Sequence, residues 1–199
     1  VMSMILTCIT AAMAGYALAK KRFVGRKLLF TLIVCAMALP KQVILIPLLR
    51  EMSSLNLYNT IWAVIFPIVG WPFGVFLMKQ FSEGIPTEML EAARIDGSSE
   101  FGTFNRIVLP MIKPALAVQA IFTFVGAWNN YFTPALILNS ANKKTLPILI
   151  AQLRSADFLK FDMGQVYMMI ALSILPVIIV YLFLSKFIIA GVAVGGGKE

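Results

Sequence analysis

Long apolar runs constrain this chain more than any other feature of its sequence. Its first 19 residues carry no charged side chain, and four further apolar runs of similar length follow. A helix that crosses a bilayer needs about 20 such residues. Composition agrees, because 60% of the 199 residues are hydrophobic and only 13% are charged, whereas a soluble domain has ~25% charged residues. We predict an all-α polytopic membrane protein, a single domain whose five spans lie at residues 1–19, 28–49, 61–78, 115–138 and 166–187.

Residue types that carry chemistry are scarce in the sequence. There is no histidine, which excludes His-based triads and histidine metal ligands. Cys8 and Cys35 lie in apolar runs and are interpreted as packing residues. No G-x-x-x-x-G-K-[ST] motif occurs, so any ATP must be hydrolysed by another protein. We therefore predict no enzyme activity, no catalytic residue, no metal site and no cofactor bound by this chain.

Basic residues predict the orientation in the membrane. Residues 20–27 read K-K-R-F-V-G-R-K, five bases without an acid, which is typical of a cytoplasmic loop. Alternation then places residues 79–113 and the C-terminus inside, and residues 50–60 and 139–165 outside. Eleven Lys and Arg lie on the inner side and five on the outer side. The net charge of +8 therefore does not indicate a nucleic-acid partner. Five spans with an inner C-terminus put Val1 outside, so we expect a further span before Val1.

The predicted inner loop contains signals for two short helices. Thr87 is a candidate N-cap of the first helix. Gly97 follows it as a stop that can adopt a positive φ. Ser98 or Ser99 can cap the second helix.

Side chains of the same loop indicate a surface for a partner. Ala92 and Ala93 would let a partner approach the backbone closely. Phe101 and Phe104 are three residues apart and share one face of the second helix. Large apolar side chains in a water-facing loop indicate docking, and an amphipathic hairpin lying on the lipid surface is the alternative.

A motif in this loop resembles that of a known family. The pattern is E-A-A, three residues, G, nine residues, I, one residue, L-P, as in the inner-membrane permease subunits of binding-protein-dependent ABC importers. The resemblance implies that the loop is a coupling helix that docks in a cleft of a separate ATP-binding subunit. The predicted ATPase-coupling residues are Glu91, Ala92, Ala93, Gly97, Phe101, Ile107, Leu109 and Pro110.

Other segments resemble the carbohydrate branch of these permeases, most of all the maltose-type second permease. They are the basic turn after residues 16–19, F-T-F-V-G-A-W-N-N-Y at 122–131, T-L-P at 145–147 and A-G-V at 190–192. The resemblance implies ATP-driven sugar import across a prokaryotic cell membrane, within a permease core of five shared helices. The implied partners are a second homologous permease, a cytoplasmic ATP-binding subunit dimer that uses ATP and Mg²⁺, an extracytoplasmic solute-binding protein and membrane lipid.

Polar residues within the spans are the candidate substrate path. Such residues are costly in a bilayer unless they are paired or face a cavity, and amides and aromatic rings suit a polyol. For residues 128–131 the alternatives are interhelical hydrogen bonds or an aromatic belt. A lysine near Pro40 would either line a broken turn or snorkel to the surface. The candidates are Lys41, Gln119, Trp128, Asn129 and Tyr131.

Two further expectations concern contacts outside and within the membrane. The loop at residues 139–165 is 27 residues long, far above the usual ~4–6, and we expect it to contact the solute-binding protein. We expect Lys41 and Asn129 to line one path, with Asn130 as a helix–helix partner.

Two other functions remain open from the sequence alone. The chain could be a permease of the same superfamily for a non-sugar solute, against which the carbohydrate-branch segments argue. It could also be a secondary transporter or channel. An ion-coupled transporter would usually carry Asp, Glu or His in its spans, and here the predicted spans have none.

Overall fold

The computed structural model describes residues 1–154 and 162–195, with the backbone alone for Arg154 and residues 188–195. All regular elements in this part are helical, which confirms the all-α prediction. A π-helical turn at Phe104–Val108 joins α7 to α8, and a 3₁₀ turn at Ala141–Lys143 precedes α11. In chain order the helices are α1 Met2–Lys20, α2 Arg26–Met37, α3 Leu45–Ser54, α4 Trp62–Val69, α5 Pro72–Glu83, α6 Thr87–Ile95, α7 Glu100–Thr103, α8 Leu109–Met111, α9 Lys113–Trp128, α10 Phe132–Ile137, α11 Leu146–Arg154 and α12 Met163–Gly195.

Three helical segments of the described residues are long and apolar enough to cross a membrane. They are Met2–Lys20, Trp62–Glu83 and Met163–Phe187. A fourth crossing results if Glu100–Met111 and Lys113–Trp128, which meet at an angle of 78°, form one bent span. The expected segments around 1–19, 61–78, 115–138 and 166–187 thus overlap long or bent helices.

The expected span at 28–49 is formed by two helices and not by one continuous helix, as the proline within it indicates. α2 ends at Met37 and α3 begins at Leu45, with turns between them. Pro40 explains the interruption, because proline has no backbone N–H to donate and also disfavours helical backbone at the residue before it. The same cause acts between α4 and α5, where Trp71 precedes Pro72 and is extended at φ −62° and ψ 114°.

Helix α1 is the centre of the packed structure and lies against α4, α5 and α9. Small residues permit this, since Ala11 and Ala12 are buried and Gly15 faces α5. A Cβ on Gly15 would lie 2.5 Å from the Cβ of Met78, so the two helices approach almost backbone to backbone. Small side chains at helix interfaces are typical of membrane proteins, where van der Waals packing drives association.

The connections between helices lie at two opposite ends of the structure. We name the end that contains Lys20 and Ile85 the hairpin end, and the end that contains Asn59 and Asn139 the pocket end. At the hairpin end, the Lys20 ammonium donates to the carbonyl oxygens of Glu83 at 3.0 Å and Ile85 at 2.5 Å. At the pocket end, Asn59 accepts from the backbone N–H of Asn139 at 3.0 Å. Loops that alternation predicts on one side of the membrane are therefore in contact with each other.

Helix α12 has little cover from the rest of the chain. It packs against α9 and α11, and none of its most apolar stretch within Met163–Phe187 is buried. Its far end also lies at the hairpin end, because the Lys113 ammonium lies 4.7 Å from the centroid of the Phe187 ring.

Candidate functional site

The motif residues lie on a helical hairpin built from α6 and α7. Gly97 links the two helices with φ +75°, which confirms the positive φ expected from the sequence. Its N–H donates to the Arg94 carbonyl at 3.0 Å, and the Ser98 N–H donates to the Ala93 carbonyl at 2.9 Å. These two bonds are a Schellman motif, which satisfies the last carbonyls of α6 and fixes the angle at which the chain leaves that helix.

The helix caps of the hairpin settle one alternative and correct one prediction. Of the two candidate serines, Ser99 is the cap, because its Oγ accepts from the Gly102 N–H at 3.1 Å. Thr87 is not an N-cap. The cap position of α6 is Pro86, and Thr87 is already the first helical residue, so its side chain is not positioned to bind the first free amides.

The hairpin presents some motif residues outward and keeps others inside. Glu91 and Ala92 are exposed, and Phe101 is 66% exposed. Ala93, however, is only 7% exposed, so it packs within this chain. The outward residues Glu91, Ala92 and Phe101 are the candidate docking face.

Phe104 does not belong to this docking face, contrary to the prediction. It is 7% exposed, and its ring centroid lies 5.6 Å from that of Tyr16 on α1. Residues three apart differ by about 60° around a helix. Because α1 covers one side of the hairpin, this angle is enough to leave Phe101 in solvent and place Phe104 in the core.

The last three motif residues connect the hairpin to α9. Ile107 and Leu109 are half-buried and pack against the core formed by α1, α5 and the hairpin. Pro110 is exposed in α8, just before the chain bends into α9. In this arrangement only the short segment from Phe104 to Ile112 separates the hairpin from α9.

A charge cluster that the sequence analysis did not identify as part of the site holds the hairpin in place. Glu100 is ion-paired to Lys21 and, at 3.0 Å, to Arg94. The Lys21 ammonium, with help from Arg94, lowers the pKa of the Glu100 carboxyl, so the group stays ionised. Through Lys20 and Lys21, the basic turn at residues 20–27 contacts the segment before α6 and the start of α7. In the sequence this cluster is visible only as a run of bases, which by itself predicts orientation in the membrane.

A pocket with a volume of about 340 Å³ lies at the pocket end and collects three of the five predicted path residues. The Trp128 indole N–H donates to the Ser173 carbonyl at 2.9 Å and so ties α9 to α12. On its other side the Trp128 ring stacks on Phe124, with centroids 5.8 Å apart. The lining residues are Trp128, Asn129, Tyr131, Leu146, Pro147, Ile150, Ala151 and Ser173.

Helix α9 ends at Trp128, so the next residues line the pocket from a loop and not from a helix face. Asn129 is exposed and lines the pocket. Asn130, the predicted helix–helix partner, accepts at its Oδ1 from the Thr133 N–H at 3.4 Å, three residues on at the start of α10. Tyr131 is 40% exposed and completes the polar side of the pocket.

The other two candidates lie elsewhere in the structure. Gln119 is fully buried, and its Nε2 donates to Thr123 Oγ1 at 3.2 Å. It packs against Gly74 of α5, which makes it an interhelical residue. Lys41 lies in the break between α2 and α3, where its ammonium is 5.1 Å from the centroid of the Trp71 ring. The structure therefore does not bring Lys41 into the pocket with Asn129, although it does place Lys41 at a broken turn.

Comparison with known proteins identifies the chain. The pattern of the family described as "Binding-protein-dependent transport system inner membrane component" matches residues 9–193. The chain belongs to this family. It is thus an inner-membrane permease subunit of an ABC importer and not the ATPase, because ATP hydrolysis in such systems is done by a partner subunit.

Individual relatives agree with this assignment. The chain is 38% identical over 197 residues to the arabinooligosaccharides transport system permease protein AraQ of Bacillus subtilis, covering 98% of this chain and 68% of that protein. It is 30% identical over 197 residues to the diacetylchitobiose uptake system permease protein NgcG of Streptomyces coelicolor, covering 98% and 65%. Among solved structures, a bacterial ABC transporter that imports the acidic polysaccharide alginate superposes with a TM-score of 0.78 at 27% identity, covering 93% of this chain and 70% of that one.

Proposed function

We propose that this permease carries an oligosaccharide and that the solute passes the pocket formed by Trp128, Asn129 and Tyr131. The main support for this proposal is the chemistry of the residues that line the pocket. Aromatic ring faces can stack on the apolar faces of sugar rings, and the Asn129 amide can both donate to and accept from hydroxyls. None of the described lining residues is charged, which suits a neutral solute. The volume of about 340 Å³ is within the range of small-molecule sites. The names of the relatives, which refer to arabinooligosaccharides and diacetylchitobiose, support the same class.

The hairpin is the proposed docking site for the ATP-binding subunit, which would bind ATP and Mg²⁺. Glu91, Ala92 and Phe101 are the side chains exposed for this contact. The hairpin end then faces the cytoplasm, which agrees with the concentration of basic residues at residues 20–27. The contact between Lys113 and Phe187 brings the far end of α12 to the same side and supports a cytoplasmic C-terminus.

The remaining partners are proposed for surfaces that this chain leaves uncovered. A second permease would complete the path, and the bare face of α12 is available for protein or lipid contact. The solute-binding protein would meet the pocket end through residues 139–165. In that loop, residues 155–161 lie outside the described residues, and α11 forms one wall of the pocket.

The test is transport by the complete importer in proteoliposomes, with a labelled panel of oligosaccharides, amino acids and phosphate. Asn129→Ala should raise the KM for one oligosaccharide about 2- to 12-fold, the effect of a lost hydrogen bond to a neutral group. Tyr131→Ala should act in the same direction, whereas Gln80→Ala, which removes an exposed amide on α5 outside the pocket, is the control. Uptake of an amino acid or phosphate, with no oligosaccharide transported, would contradict the proposal.

A further inference from the structure

The basic turn between α1 and α2 borders a second cavity, which the transport function described so far does not use. Its volume is about 510 Å³. It lies at the hairpin end, directly after the point where α1 ends at Lys20. Its lining residues are Arg22, Phe23, Gly25, Arg26, Lys27 and Leu28.

The cations of the basic turn divide into two sets with different surroundings. Lys20 donates to carbonyl oxygens just before the hairpin, and Lys21 is ion-paired to Glu100 of the hairpin. Arg22, Arg26 and Lys27 take part in none of the ion pairs found among the described residues. Arg26 does donate to the Lys21 carbonyl at 3.1 Å, but a carbonyl is neutral and leaves the guanidinium charge uncompensated. Three uncompensated cations around one cavity create a positive potential that attracts an anion.

Apolar side chains surround the same cavity and distinguish the kind of anion. Leu28 and Phe23, which line it, are 65% and 44% exposed. A free anion in water would gain nothing from them. A lipid would, because its headgroup carries the charge and its acyl chains cover apolar surface.

We propose that the basic turn binds the headgroup of an anionic phospholipid of the cytoplasmic leaflet. The phosphate lies among Arg22, Arg26 and Lys27, and the acyl chains run along Phe23 and Leu28. The start of α2 adds to the site, because its cap residue is Gly25, which has no side chain to occupy the first free amides of the helix. A bound lipid at this position would anchor the turn whose other lysines hold the coupling hairpin.

The experiment uses the assembled importer in bilayers that contain spin-labelled phosphatidylglycerol or phosphatidylcholine. The wild-type complex should immobilise the anionic label preferentially at one site. Each basic residue near an anionic headgroup contributes roughly a fivefold gain in affinity. The double variant Arg22→Gln, Lys27→Gln should therefore lower the affinity for phosphatidylglycerol about 25-fold and leave that for phosphatidylcholine unchanged. The control is Arg50→Gln, which removes one charge from an exposed position within α3, outside the basic turn.

Further variants separate the possible outcomes. If the double variant fails to assemble, Lys27→Arg is measured instead. It keeps the charge and should therefore keep the lipid preference. Phe23→Ser should weaken phosphatidylglycerol binding if a lipid is the occupant. An unchanged preference in the double variant overturns the proposal. So does competition by millimolar inorganic phosphate with no effect of Phe23→Ser, which would indicate a free-anion site. Loss of the ATP-binding subunit in the double variant, with lipid preference intact, would reassign the turn to a protein contact.

Discussion

The approach of α1 to α5 gives a sharp test of the packing. A Cβ added at Gly15 would lie 2.5 Å from the Met78 Cβ and 2.7 Å from the Lys79 backbone nitrogen. Ordinary contacts begin near 3.4 Å, so Gly15→Ala requires the two helices to separate by about 1 Å. The obstructing atoms are backbone or next to it, and no rotamer change can remove them. We expect this single methyl group to destabilise the permease.

The size of the effect is a balance of two terms. Overpacking costs about 1–3 kcal/mol, and the rigidity of the atoms involved favours the upper half of that range. Replacing glycine by alanine inside a helix returns about 1 kcal/mol. The net destabilisation should be about 1–2 kcal/mol, which corresponds to a decrease in Tm of roughly 2–8 °C for a domain of this size.

The matched control is Gly126→Ala in α9, because nothing lies within 4 Å of a Cβ at that position. It retains the gain in helix propensity without the clash, and it should leave Tm unchanged or slightly raised. The assay is thermal unfolding of the detergent-solubilised complex, followed by loss of the folded fraction on size exclusion. If Gly15→Ala melts at or above the temperature of Gly126→Ala, the close packing of α1 on α5 is refuted.

Two further predictions concern the hairpin. Gly97→Val should insert normally but lose transport-linked ATP hydrolysis, because a β-branched residue resists the φ of +75°. The control is Gly84→Val, because φ at Gly84 is −69°. Normal coupling in the Gly97 variant would refute the need for a positive φ between α6 and α7. Lys20→Met should raise hydrogen exchange in α6, because two carbonyls lose a charged donor worth about 1.5–3 kcal/mol each. Unchanged exchange would show that Lys20 does not hold the hairpin.

Sequence patterns predicted the features that depend on local chemistry. The stop at Gly97 and the interruption near Pro40 follow from backbone properties of single residues, and the structure shows both. The burial of Phe104 could not be predicted, because it depends on α1, whose contact residue Tyr16 is 88 positions away in the sequence. The separation of Lys41 from the pocket has the same origin, since helix packing and not helix periodicity decides which loops meet.

The ion pairs of Glu100 illustrate a second reason for the limits of sequence analysis. Runs of bases serve orientation in any membrane protein, and nothing in residues 20–27 distinguishes a lysine that binds the hairpin from one that faces solvent. Only the folded chain shows that Lys21 meets Glu100, while Arg22 and Lys27 are exposed. The basic residues at 20–27 therefore have two roles, membrane orientation and binding of the hairpin. Only the contacts in the folded chain show which residue has which role.

Substitutions at Ala92 and Ala93 of the motif can test docking and folding separately. From the sequence, either alanine could be the site of close approach by a partner, but Ala92 is exposed whereas Ala93 is 7% exposed and packs within this chain. Ala92→Trp should therefore leave Tm and membrane insertion unchanged while abolishing binding of the ATP-binding subunit. Ala93→Trp should unfold the hairpin itself, because the core has no space for an indole and overpacking there is costly. The measurements are Tm of the isolated permease and co-purification of the ATP-binding subunit. If Ala92→Trp co-purifies that subunit as well as the wild type does, the outward face of α6 is not the docking face.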